Sequence, residues 1–96
     1  ANFHKANLRA VGMNNNDLRG VNFKGAVLVG AQFSNADLSD ANLSKAWLYH
    51  GDLSETNLSG TDLSSTKVWY HQLQKAILCN TKSQFWGVMN TGCASM

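Results

Sequence analysis

The chain has 96 residues, 15% of them charged, and its eight Lys and Arg against six Asp and Glu leave a net charge of +2. This makes one small domain, too nearly neutral to mark a nucleic-acid or acidic-membrane binder and too rich in Leu, Ala, Ser and Asn for a disordered chain. No apolar run approaches the roughly 20 residues of a membrane span. The start, Ala1-Asn2-Phe3, reads as that of a mature protein or an excised fragment without a signal peptide.

From the first residues onward the chain repeats every five. Phe3, Leu8, Met13, Leu18, Phe23, Leu28, Phe33, Leu38, Leu43, Leu48, Leu53, Leu58, Leu63, Val68, Leu73 and Leu78 form an unbroken series of sixteen large apolar residues. Two residues before each stands a second series, from Ala1 to Ala76, of which fourteen in sixteen are small or β-branched, with Asn16 and His71 as the exceptions. The residue between the two is Asn or Asp in nine cases, such as Asn7, Asp37, Asn42 and Asp62, and Ser often follows the large one.

A period of five excludes the ordinary elements. On an α-helix five residues advance about 140°, which scatters the Leu residues around the axis. On a flat strand an odd period alternates faces. A chain that turns a corner every five residues gives a single dry interior. The small and the large residue, two apart, both point inward, the Asn or Asp between them points out, and the other two make the corner. Four corners close a twenty-residue coil, and coils stack at about 4.8 Å. The expected fold is therefore all-β: a quadrilateral parallel β-helix of about four coils over residues 1–82, with the sixteen large residues as its core.

The units Ala36-Asp37-Leu38-Ser39-Asp40 and Ala41-Asn42-Leu43-Ser44-Lys45 closely resemble the pentapeptide-repeat family. The resemblance covers residues 1 to about 80 and implies a right-handed quadrilateral β-helix. The fold serves many roles, and the chain itself reads as a non-enzymatic binding or structural rod that needs no cofactor.

A register of twenty sorts the outward residues by face. One face, with His4, Lys5, Lys24 and Lys45, is mildly basic; two others, with Asp17, Arg19, Asp37, Asp40, Asp52 and Glu55, are mildly acidic. The second face differs. It carries Asn7 and Arg9, then Val27 and Val29, then Trp47, Tyr49 and His50, then Lys67, Trp69 and Tyr70. The expected columns are Val27, Trp47, Lys67; Val29, Tyr49, Trp69; and Gly30, His50, Tyr70. Contiguous exposed apolar surface marks an interface, and Trp and Tyr dominate binding hot spots. Val27, Val29, Trp47, Tyr49, His50, Trp69 and Tyr70 are thus the candidate protein-binding residues, for a foreign protein or a second copy.

Near the C-terminal end His71 falls in an inward small-residue slot, where a buried, hydrogen-bonded structural histidine is expected. The pattern stops at Asn80 or Thr81, since Ser83 stands where the next large residue belongs. Residues 83–96, with Phe85, Trp86, Val88 and Met89, read as a tail that covers the end of the stack. The N-terminal end has no equivalent and awaits a preceding domain or another subunit. Cys79 and Cys93 either staple this tail to the last coil or stand as two free thiols. The segment Leu78-Cys79 with Asn90-Thr91-Gly92-Cys93 is similar to the Cys-bearing caps of exported cyanobacterial and plant thylakoid-lumen family members. That resemblance implies the disulfide and an oxidising compartment, periplasm or thylakoid lumen.

Catalytic chemistry is not written into the chain. There is no Ser, His and acid constellation and no phosphate-binding Gly loop; His50 with Asp52 is too small a set for a metal, and two Cys lack further zinc ligands. Gyrase-protecting family members raise a DNA-mimic alternative, but that needs an extended acidic surface. A further alternative is one repeat domain of a larger secreted bacterial effector.

Overall fold

The computed structural model describes residues 2–85 and 87–93; Ala1 and Trp86 lie outside them. Its logic is clearest in one unit of five. The Ala36 N–H donates to the Phe33 carbonyl at 2.9 Å across the corner, and the Asp37 N–H donates to Asn16 at 2.9 Å, twenty-one residues back. The N–H groups of Leu38 and Asp40 donate onward to Asn57 and Ser59, at 2.8 and 3.1 Å. The remaining one, on Ser39, donates to the Asp37 side chain at 2.9 Å. All five donors are satisfied without a long strand, which is the accounting a buried backbone requires.

Because donors point both back and forward along the stack, the chain pairs with itself at a spacing of twenty. Parallel bridges link Asn2, Asn22 and Asn42; Asn7, Val27, Trp47 and Lys67; Gly12, Gln32 and Asp52; and Asp17, Asp37, Asn57 and Ile77. Extended strands emerge only toward the C-terminal end, where β1 (Asp62–Leu63) pairs in parallel with β2 (Thr81–Ser83).

Each corner from Lys5 to Gly60 holds its second residue at positive φ, with Gly at 20, 25, 30 and 60 and Lys, Ala, Asn, Asp, His or Glu elsewhere. With the preceding residue at ordinary φ and an N–H such as that of Ala6 returning to Phe3 at 2.9 Å, these are type II turns. Gly is the residue such a turn favours, so Lys5, Ala10, Lys45 and Glu55 sit there against their intrinsic preference.

The large series fills the interior. Phe23, Leu28, Phe33, Leu38, Leu43, Leu48, Leu53, Leu58, Leu63, Val68, Leu73 and Leu78 are buried, while Phe3, Leu8, Met13 and Leu18 are half-buried at the N-terminal end of the stack. Phe3 stacks on Phe23 with ring centroids 5.3 Å apart. The small slots hold mostly Ala and Val along the first coils and Thr56, Thr61 and Thr66 later. Thr56 and Thr66 are buried, and each hydroxyl donates to a carbonyl in the coil beneath, of Phe33 and Leu43, at 2.7 Å.

The unbroken run of positive-φ corners ends after Gly60, and the conformation returns at Asn80. At residue 70 the chain enters a single helical turn, α1 (Tyr70–Leu73), instead of an extended unit. His71 is therefore not inward: it is exposed, with its ring against Trp69 at 5.5 Å. Successive helical residues are about 100° apart, so Gln72 takes the interior slot beside Leu73. Its Nε2 donates to the carbonyls of Leu48 at 2.7 Å and Gly51 at 3.0 Å, and its Oε1 accepts the Trp69 N–H at 2.9 Å.

The backbone register outlasts the residue pattern. Thr81 and Ser83 are both buried and in register with the coil beneath, through Asp62 with Lys82 and Leu63 with Ser83. The chain then reverses, and β3 (Gly87–Met89) runs antiparallel along β2. Met89 is buried, Gly92 donates its N–H to the Leu78 carbonyl at 2.7 Å, and Cys79 is disulfide-bonded to Cys93. Gly92 has no room for a side chain: a Cβ there would lie 2.7 Å from the Leu78 nitrogen.

Candidate functional site

The outward Asn and Asp residues have a local task. Asn2, Asp17, Asn22, Asp37, Asn42, Asp52, Asn57 and Asp62 each accept the N–H two residues on, at 2.9–3.2 Å. These are Asx bonds that close the corner. On one face the sequence gives them up three times in succession, placing Val27, Trp47 and Lys67 where an Asx residue belongs.

The twenty-residue register then brings aromatic rings together on that face. Tyr49 and Trp69 stack at 4.7 Å and 26°, and Trp47 meets Tyr49 edge-on at 6.5 Å. The 4.7 Å matches the coil spacing of about 4.8 Å, so the rings stand along the axis of the stack with their edges outward. His50 lies edge-on to Trp69 at 4.6 Å. Trp47 and Trp69 remain 43% and 38% exposed, an unusual fraction for the largest apolar side chain. Val27 and Val29, half-buried, lie beneath the aromatic rows.

Tyr70 is not in the column of Gly30 and His50. It opens α1, packs against the core, and has its ring edge-on to Phe85 at 5.6 Å. It lines a cavity of about 310 Å³ between the end of the stack and the tail, with Leu73, Leu78 and Met89. The helical turn carries it away from the ladder. Two residues outside the sequence-derived set join the ladder: Lys67, whose Nζ lies 5.0 Å from the Trp47 ring centroid, and His71 against Trp69. Lys67 could have been found from its column over Trp47, since a cation above an indole is attracted by the ring.

Beside Trp69 a groove of about 340 Å³ is lined by His50, Asp52, Ser54, His71, Gln72 and Lys75 among others. The Ser54 hydrogen bonds, and more weakly the charge of Lys75, hold the Asp52 carboxyl below its ordinary pKa. On another face Arg19 forks onto Asp17 at 2.7 and 2.8 Å and pulls that carboxyl down to about 2. Among the described residues no group of three His, Cys, Asp or Glu is placed to hold a metal, and no helix is long and apolar enough to cross a membrane.

Five-residue units, parallel bridges at a spacing of twenty and a stacked apolar interior describe a repeat scaffold, and a sequence model of pentapeptide repeats matches residues 17–54 and 48–80 in eight copies. The chain belongs to the pentapeptide-repeat family. Two solved structures of trypsin-treated QnrB1, a plasmid-mediated fluoroquinolone resistance protein, superpose on it with a TM-score of 0.58 at 23% identity, covering 74% of this chain. They show the shared fold, a right-handed β-helix. HetL, a pentapeptide-repeat protein involved in heterocyst differentiation regulation from the cyanobacterium Nostoc sp. strain PCC 7120, is 30% identical over 93% of this chain, with a TM-score of 0.33. The pentapeptide-repeat chain spans about two fifths of the length of these structures, 38–39%. Among curated proteins, none matches by sequence.

Proposed function

We propose that this pentapeptide-repeat chain is a non-enzymatic protein-binding module that presents the Trp47, Tyr49 and Trp69 ladder to a protein partner or to a second copy. The observation that carries the reading is the ladder on a face that forgoes three successive Asx bonds. Those bonds close corners elsewhere, so replacing them with Val, Trp and Lys trades local stability for outward apolar and cationic surface. Aromatic edges carry the positive end of the ring quadrupole, which suits a partner offering carbonyl or carboxylate oxygens.

In this reading the body is a square stack of four coils, supported by the bridges at a spacing of twenty. Residues 83–96 close its C-terminal end, supported by β3 on β2, buried Met89 and the disulfide. The disulfide also favours an oxidising compartment. A DNA-mimic role, raised by the resemblance to gyrase-protecting family members, ranks lower. The net charge is +2, and Arg19 neutralises Asp17 and lies 4.0 Å from Asp37 on the acidic side.

The test is molar mass by light scattering after size exclusion at micromolar concentration, with the full chain immobilised as bait in parallel. Replacing Tyr49 and Trp69 together by Ser is expected to abolish self-association or capture while the far-ultraviolet β spectrum persists. Association unchanged in that variant would overturn the reading.

A further inference from the structure

The column of bridges through Gly12, Gln32 and Asp52 goes no further. Residue 72, next in the register, is carried into α1, and its side-chain amide rather than its backbone N–H reaches the Gly51 carbonyl. The 340 Å³ groove lies where the next coil would have covered Leu53. We propose that this groove binds a small zwitterion, a free α-amino acid, with its carboxylate on the Leu53 N–H and the Lys75 ammonium and its ammonium on Asp52.

Three observations carry this. In the neighbouring units the N–H of the large residue donates to the next coil, as Phe33 does to Asp52 at 2.9 Å and Leu58 to Ile77 at 2.9 Å. No backbone carbonyl among the described residues accepts the Leu53 N–H, and Leu53 lines the groove. A donor in that position calls for an acceptor. Second, Asp52 and Lys75 line the same groove, yet among the described residues no ion pair joins them. Two opposite charges that share a cavity without closing on each other match a ligand that carries both, in reverse order. Third, the floor is fixed in advance, since the Gln72 amide is tied to Leu48, Gly51 and Trp69, and such preorganisation lowers the cost of binding.

The wall sets the side-chain preference. Trp69 already stacks on Tyr49 and on His71, so its ring is engaged within the ladder. The small polar space suits the amino and carboxyl groups with a short side chain. The inference goes beyond the aromatic-face reading: it shares Trp69 and His50 with the ladder, but its test involves no partner protein.

The test is a titration of the ¹⁵N-labelled full chain with glycine, with acetate and methylamine as half-ligand controls, following the Leu53 amide resonance. Glycine is expected to shift that resonance saturably, with each control weaker by about tenfold, as loss of one charge-assisted contact predicts. Lys75→Met is expected to weaken glycine binding by about tenfold, and Asp52→Asn to remove the preference of glycine over acetate. The amide spectrum of each variant reports that the fold is kept. A Leu53 resonance that does not move, acetate as effective as glycine, or Lys75→Met binding as the parent does would each overturn the proposal.

Discussion

The side-chain amide of Gln72 stands in for a backbone donor at Gly51: its Nε2 lies 3.0 Å from the Gly51 carbonyl. The same amide bonds Leu48, and its oxygen takes the Trp69 N–H. One side chain therefore holds α1 against the stack and sets where Trp69 stands over Tyr49. Gln72→Leu keeps the volume but strands the Gly51 carbonyl and the Trp69 N–H, while the Leu48 carbonyl keeps the Gly51 N–H. Stranding a buried polar group costs about 1–3 kcal/mol, so for these two we expect a loss of about 2–6 kcal/mol in denaturant unfolding. A changed Trp fluorescence in the native baseline should accompany it.

Removal of the Cys79–Cys93 bridge, by Cys79→Ser with Cys93→Ser, is expected to cost about 3 kcal/mol for a loop of this length. The loss should be local. Hydrogen exchange ought to rise first in β3 and at Gly92, while Leu38 and Leu58 keep their protection. Uniform loss of protection across the chain would show instead that tail and stack unfold as one unit.

The corner at Ala10 offers a gain. Ala10 sits at φ of +56 and is exposed, a conformation costing an L-residue roughly 1 kcal/mol. Ala10→Gly relieves that strain but enlarges the unfolded ensemble by about 0.4–1 kcal/mol. The expected net effect lies between neutral and a gain of about 0.5 kcal/mol, read from thermal unfolding. The reverse change at a neighbouring corner, Gly25→Ala at φ of +69, should be destabilising, because its Cβ also meets the Lys5 side chain at 3.3 Å.

Asp17 should titrate at about 2 rather than at 3.8, because Arg19 bonds its carboxylate through both the side chain and the backbone N–H. The folded pKa is depressed, so the stabilisation is present above the unfolded value and fades as the pH falls through the folded one. Both groups are exposed, which keeps the effect on stability small. Carboxyl chemical shifts against pH are the direct readout. Arg19→Gln should return Asp17 toward its ordinary range; an Asp17 that already titrates near 4 in the parent would contradict the fork.

The body of this molecule was legible because a period of five leaves few geometric solutions. The large series from Phe23 to Leu78 is interior, and the register of twenty that follows from it puts Trp69 over Tyr49. The Asx bonds were half-visible: the residues pointed outward as read, but their corner-closing task emerges only when the N–H two residues on is seen to lack another partner. The departures cluster between Trp69 and Ala76. A four-residue helix such as α1 spans barely one turn and leaves no periodic signature, so nothing in the pattern moved His71 out, Gln72 in, or Tyr70 toward Phe85. The His71 slot was the visible warning in this stretch, an imidazole where every other unit but that of Asn16 keeps a small or β-branched residue. At the corners, Lys45 and Glu55 adopt positive φ because stacking on both sides fixes the turn, and Lys5 does so against the one coil it pairs with, so local preference is overridden.

The pairing of each residue with the one twenty positions on makes length a quantised property of this architecture. A duplicated block of twenty would slide into the stack with every column aligned, extending the molecule by one rise and adding a rung to the aromatic ladder. A loss of five would instead turn everything above it by one face, carrying Trp69 off Tyr49 and onto a neighbouring side. Growth by whole circuits keeps both the interior and the outer columns, whereas growth by single units keeps only the interior, so descent of such chains by duplication has a natural grain.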